Sequence, residues 1–116
     1  MLLPKNRLKE NREFVRILKS GLFFNSQKIR LKIAKNHLKV SRFGFVASLA
    51  VDKRATRRNK LKRQMREIIR LLLKERRLKE GWDAVFFLSK KLKERNYEEM
   101  RWETEFLLKK SGLLRL

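Results

Sequence analysis

Within ATRRNKLKRQMREIIRLLLKE, residues 55–75, the positions Leu61, Met65, Ile68, Ile69 and Leu72 fall on one stripe of a helical wheel, and cations crowd the remaining face. A helix with a single apolar stripe is stable only when a second layer covers that stripe. The flanking segments supply the layer. Before the helix, KIRLKIAK (28–35) alternates, with Ile29, Leu31 and Ile33 pointing one way and Lys28, Arg30 and Lys32 the other, the period of a half-buried strand. FGFVASLAV (43–51) reads as another strand, with Phe43, Phe45, Ala47 and Leu49 on one side and Gly44, Ser48 and Ala50 on the other. After the helix, WDAVFFL (82–88) is short, apolar and β-prone, an inner strand. Strand, helix and strand in that order make a βαβ unit. It sets the basic helix on one face of a small mixed sheet and leaves the other face partly open.

The rest of the chain completes an α+β fold. In NREFVRILKSG, Asn11 is placed to cap a helix whose Phe14, Ile17 and Leu18 share a face, and Gly21 stands where a left-handed stop is wanted. Phe23 and Phe24 form a short strand or an extended entry into the next one. The strands at 28–35 and 43–51 are expected to pair as a hairpin across the polar connection 35–42. Gly81 ends the turn after the long helix. Asn96 and Glu99 make a capping pattern ahead of Tyr97, Met100, Thr104, Leu107 and Leu108 at helical spacing, and Gly112 closes that helix. Trp82 and Trp102 read as packing residues with an indole edge near solvent. With one Pro and four Gly, the chain shows no linker, so residues 1–116 are expected to form a single domain, a two-layer sandwich on a four-stranded mixed sheet in the order α-β-β-β-α-β-α.

Charge bounds the function. Lys and Arg number 33 against 12 Asp and Glu, a formal net charge of +21, which is the balance of a polyanion binder. Residues 53–66, KRATRRNKLKRQMR, hold eight cations and no acid. The ordinary fate of such a run is a solvated helix face. Here, however, the like charges at i,i+4 are unrelieved before Glu67, at a cost of about a few tenths of a kcal/mol per pair, so the run asks for an external anion such as a phosphate backbone. Nothing resembles a catalytic centre. Asp52 and Asp83 have no second carboxylate nearby in sequence, and the single His37 lies in a polar turn without a partner. The absence of cysteine leaves no disulfide framework and no zinc site of the Cys type. The longest apolar stretch is half a membrane span, and the opening MLLPKNRLKE lacks the apolar run of a signal peptide, so a soluble, cytoplasmic protein without membrane contact is expected.

ATRRNKLKRQMREIIR resembles the Arg-Asn-x-x-Lys-Arg-x-x-Arg signature of the protein subunit of bacterial ribonuclease P, matching at Ala55, Arg58, Asn59, Lys62, Arg63 and Arg66. NRLKENREFVRILKSG, RFGFVAS and GWDAVFFL are similar to the family's first helix, the strand entering the motif and the last strand. The resemblance implies a left-handed βαβ crossover, against the usual rule. It also implies a role in removing the 5′ leader of precursor tRNA, with a catalytic RNA performing the Mg²⁺-dependent hydrolysis, the Mg²⁺ being mainly RNA-bound. The implied partners are ribonuclease P RNA and precursor tRNA, in a 1:1 complex with a monomeric protein. Carried over by position, Arg54, Arg57, Arg58, Asn59, Lys60, Lys62, Arg63, Arg66 and Arg70 are expected to contact the catalytic RNA, and Phe14, Leu18, Arg30 and Lys32 to line a cleft for the leader.

Read from the residues alone, Phe14 on the apolar stripe of its helix reads first as a core residue, and Arg30 and Lys32 fit a solvated strand face as well as a phosphate contact. Leu18 and Lys32 stand where relatives often have aromatics, so a reduced stacking platform is expected. The segment Leu49 to Lys53 departs from the family pattern by reading one residue longer, and Asp52 there fits a helix N-cap. The alternative is a ribosomal or other structural RNA-binding protein with no role in cleavage. A DNA-compacting protein and a self-sufficient nuclease are further readings.

Overall fold

The computed structural model describes residues 2–92 and 97–115, and in it the apolar stripe of the long helix is buried at all five positions. The elements run α1 (Asn11–Ser20), β1 (Leu22–Asn25), β2 (Ile29–Lys35), β3 (Arg42–Val46), α2 (Ala55–Lys74), β4 (Trp82–Leu88) and α3 (Tyr97–Ser111), with short 3-10 turns at Pro4–Asn6 and Lys90–Leu92. The class, the mixed four-stranded sheet and the element order are those expected. The proposed cap Asn96 lies outside the described residues, while Gly112 adopts φ 82° just past α3, the left-handed stop the sequence called for.

The strand order is β1-β2-β4-β3, which overturns the expected hairpin between β2 and β3. β2 pairs antiparallel with β1 and with β4, and β3 pairs parallel with β4 alone. The reason lies in β4, whose Ala84 and Phe86 point to one face and Val85 and Phe87 to the other, with most of the strand buried. A strand apolar at both parities needs neighbours on both edges and cover on both faces. It therefore takes a central place that β3, partnered on one side, does not need. β3 is also shorter than expected. The chain leaves the sheet after Val46 and turns, with the Val51 amide donating to the Ser48 carbonyl at 3.0 Å, so Val51 plugs the core while Leu49 faces solvent.

Two helices cover one face. Ile29, Leu31, Ile33, Phe43 and Phe86 meet Met65, Ile68, Ile69 and Leu72 of α2 and Met100, Leu107 and Leu108 of α3 in the main core. On the opposite face a smaller cluster joins Ile17 of α1, Leu8 and Val85. Two expected helix ends of α1 differ. Asn11 is the first helical residue and Glu10 occupies the cap position, with no side-chain cap. Gly21 is extended (φ −74°, ψ 152°) and not left-handed, because the chain passes straight into β1; a Cβ there would sit 2.5 Å from the Ile17 carbonyl oxygen, and this crowding is what requires glycine.

α1 is anchored to its face through Asp83 of β4, whose side chain is completely inaccessible. That carboxylate accepts from Arg42 at 2.8 and 2.7 Å, from Asn36 Nδ2 at 2.9 Å and from Arg16 of α1. Glu13 adds a second carboxylate, 3.2 Å from both arginines. Bonding to Asp83 raises the pKa of Arg42 above that of a free arginine, so the guanidinium stays charged. Removing one member of a fully buried pair costs about 3–5 kcal/mol. Both arginines keep some access to water, so Asp83→Ala should destabilise the protein by about 2–3 kcal/mol, read as a lower urea midpoint. An unchanged midpoint would show that α1 is held by its apolar contacts alone.

Candidate nucleic-acid interface

α2 begins without the acid that usually faces a helix N-terminus: its first turn contains none, and Arg54 occupies the cap position with no side-chain cap. Asp52 is therefore not the N-cap. Buried just ahead of the helix, it latches the incoming loop, accepting from the Arg54 amide at 2.9 Å and from Arg54 Nε at 3.2 Å. The Arg54 guanidinium holds the Asp52 carboxyl below the usual carboxylate range. Arg58 braces the same loop, donating to the carbonyls of Asp52 and Lys53 at 2.9 and 3.0 Å. These bonds set where the cationic helix starts.

Beyond that start the nine sequence-predicted cations and polar groups divide into two sets. Arg54 is tied to Asp52, and Arg70 to Glu67 at 2.6 Å, which depresses the Glu67 pKa. Among the described residues no acid pairs with Arg57, Lys60, Lys62, Arg63 or Arg66, and Asn59 is exposed beside them. Arg66 is the most strained of these electrostatically. Its pKa falls below that of a free arginine, through burial first and then through the charges of Arg7 and Arg63. Arg7 is a residue that sequence reasoning missed, and no local signal marks it. The N-terminal segment brings it in by a parallel bridge between Arg7 and Phe43 and a bond from its Nε to the Leu2 carbonyl at 2.9 Å. Arg7, Arg63 and Arg66 stand near enough to repel one another, and among the described residues no carboxylate pairs with any of them. An anion with several acceptor oxygens would relieve both the repulsion and the lost hydration.

A second surface lies on the opposite side of the sheet. The pairing register aligns side chains there in cross-strand rows: Ala34, Asp83 and Arg42; then Phe23, Lys32, Val85 and Gly44; then Arg30, Phe87 and Val46. α1 sits toward the first two rows. Its Phe14 lies so close over Gly44 that a Cβ on the glycine would come within 2.7 Å of the ring. Lys32 holds the other end of the helix, its Nζ donating to the Leu18 carbonyl at 2.6 Å. The third row stays half-open, with Arg30 exposed and Phe87 and Val46 half-buried. At the rim, Leu18 is 45% and Phe23 48% exposed. Of the four residues expected here, Leu18 and Arg30 are exposed, Phe14 is half-buried over Gly44, and Lys32 ties helix to sheet. Phe23 and Phe87 stand on the same side of the sheet and were not singled out from the sequence as residues of this surface. Their signal was parity, since Phe23 lies opposite Lys32 and Phe87 opposite Arg30.

The described residues contain no group of three or more His, Cys, Asp or Glu that could hold a metal. Among the described residues Asp52, Asp83 and Glu67 are each engaged by arginines, so these carboxylates do not make a Mg²⁺ site. No helix among the described residues is long and apolar enough to cross a membrane.

Comparison with known proteins shows what the chain is similar to. The model of the Ribonuclease P family matches residues 2–112. The chain is 31% identical over 111 residues to the ribonuclease P protein component of Clostridium botulinum (strain Loch Maree / Type A3), covering 96% of this chain and 98% of that one. It is 37% identical over 109 residues to that of Dehalococcoides mccartyi, covering 94% and 87%. Among solved structures it is similar to the ribonuclease P protein from Thermotoga maritima, with a TM-score of 0.80 at 33% identity, over 90% of this chain and 96% of that one.

The contact of Phe14 with Gly44 makes a coupled pair. Gly44→Ala alone should cost about 1–3 kcal/mol through overpacking. In a Phe14→Leu background the ring is gone and the added methyl has room, so a double-mutant cycle by urea denaturation should return a coupling of about 1 kcal/mol. Additive losses would place Phe14 away from the sheet.

Proposed function

The chain belongs to the ribonuclease P protein family, and from that premise we propose that it binds ribonuclease P RNA through the outer face of α2 and holds the 5′ leader of precursor tRNA in the cleft beside α1. Membership of the family makes it a participant in ribonuclease P processing of tRNA. The observation that carries the finer reading is the partly buried Arg66 beside Arg7 and Arg63, none of them paired with an acid among the described residues, a cationic group that a phosphate backbone would complete. Arg57, Lys60 and Lys62 extend it along the helix.

The cleft offers different chemistry. Phe23 and Phe87 present aromatic surface, and Arg30 adds a cation at the open row, which suits unstacked bases with a phosphate alongside. Affinity of that kind carries little sequence preference, as a cleft serving many different leaders requires. The hydrolysis itself is assigned to the RNA with its Mg²⁺. Precursor tRNA as a partner, a 1:1 complex with a monomeric protein and a cytoplasmic setting complete the proposal.

Reconstitution tests it. A bacterial catalytic RNA at limiting Mg²⁺ should cleave precursor tRNA faster with this chain than without it; equal rates would return the chain to a structural RNA-binding role. Arg63→Ala and Arg66→Ala should each weaken binding to the catalytic RNA and flatten its salt dependence by about 0.7–0.9 in log K against log salt for each phosphate no longer held. Phe23→Ala, at an exposed position, should leave assembly intact and lower the preference for precursor over mature tRNA by about 5- to 100-fold. Loss of assembly in that variant would move the cleft into the RNA-binding surface.

A further inference from the structure

α3 turns Met100, Thr104, Leu107 and Leu108 into the core, and its outer side carries a stacked aromatic pair, Trp102 and Phe106. Trp102 is 63% and Phe106 42% exposed, which overturns the reading of Trp102 as a packing residue. One helical turn apart, the two rings lie nearly parallel, with centroids 5.4 Å apart at 11°. One turn further on, the Lys110 ammonium stands 5.9 Å from the Phe106 centroid. The result is a column of Lys110, Phe106 and Trp102, closed by a cation at one end and presenting the indole at the other.

What surrounds the column decides its occupant. Both rings border a depression of about 540 Å³ whose rim includes Arg77, Lys109 and Arg115. Its acid, Glu105, is already engaged by Arg77 at 2.7 Å and by Arg101 at 3.6 Å. Arg115 also lines a larger cleft of about 750 Å³ with Arg70, Lys74 and Arg76 at the C-terminal end of α2, where Glu80 is the acid. Cations therefore continue from the α2 band to the aromatic column. An apolar protein partner gains nothing from this rim, and a second copy of a chain with net charge +21 is repelled by it. A stack of aromatic faces beside phosphate-binding cations is the chemistry of a nucleobase platform.

We propose that Trp102 and Phe106 form a stacking site for an unpaired nucleotide of the ribonuclease P RNA, reached by RNA that leaves α2 along Arg70, Lys74, Arg76 and Arg115. The proposal rests on α2 being the RNA-binding surface. Trp102→Leu removes the π-face and keeps apolar bulk at an exposed position, so its melting curve should match the parent's. Its affinity for a bacterial catalytic RNA should fall about 5- to 100-fold, the worth of one stacked base, with an unchanged salt slope because stacking releases no counterions. Trp102→Phe should recover most of the loss. In a Trp82→Phe background, the remaining Trp102 fluorescence should be quenched as the RNA binds. Wild-type affinity in Trp102→Leu overturns the proposal, whether or not the variant alters self-association or binding to another protein, and so does a Trp102→Phe variant as weak as Trp102→Leu. Arg66→Ala, measured alongside, separates the two readings. If only Arg66→Ala weakens binding, the stacking site fails and the α2 assignment stands, whereas wild-type affinity in both variants removes the α2 assignment as well.

Discussion

A carboxylate with no access to water, Asp83, organises the second face of the sheet. A buried charge persists only with partners of opposite sign and with its lone pairs satisfied. Arg42 from the neighbouring strand, Arg16 from α1 and Asn36 from the β2–β3 connection meet that demand together. Three parts of the chain distant in sequence are thereby held to one point. Because Arg16 is among them, α1 is held at the Ala34–Asp83–Arg42 end, and the row of Arg30, Phe87 and Val46 stays accessible at the other. The cleft is a consequence of where the ion pair sits.

The same economy of acids shapes the rest of the surface. With 12 acids for 33 cations, the acids are too few to pair every cation singly, and the fold determines which are neutralised. Acids stand at joints: Asp52 at the entry to α2, Asp83 and Glu13 at α1, Glu105 between α3 and the segment after α2. On α2 itself Glu67 pairs with Arg70, and among the described residues no acid pairs with Arg57, Lys60, Lys62, Arg63 or Arg66. Their repulsion is tolerated because the opposite stripe of that helix is fully buried, and burial worth about 1.5–3 kcal/mol per large apolar side chain outweighs like-charge pairs worth tenths. A helix so held can keep a binding surface that would be unfavourable on its own.

The sheet separates the two surfaces. α2 packs on the face that carries Leu31 and Phe86, and the cleft opens on the face that carries Val85 and Phe87. β4 alternates between them, so neighbouring residues of one strand serve opposite sides. Its central position makes this possible, since a strand paired on both edges holds its side chains in register on both faces.

Much of this was legible in the chain itself. Periodicity identified α2 and its five buried positions, the inward residues of β2, and the parity of β4, because local spacing dictates which side of an element is apolar. The cationic face of α2 was legible for the same reason, its residues being contiguous in sequence. Other features depended on contacts between distant residues. Periodicity reports a strand's face and is silent on its neighbour, so β2 and β3 read as a hairpin although β4 lies between them. Arg7 joins Arg63 and Arg66 through a bridge from the N-terminal segment to Phe43, Phe23 reaches the cleft through its register with Lys32, and Trp102 lies outside the core because α3 rotates Thr104 inward. Each of these placements is a long-range choice among locally equivalent arrangements, made by burying β4 on both faces and pairing Asp83, and therefore by the tertiary structure alone.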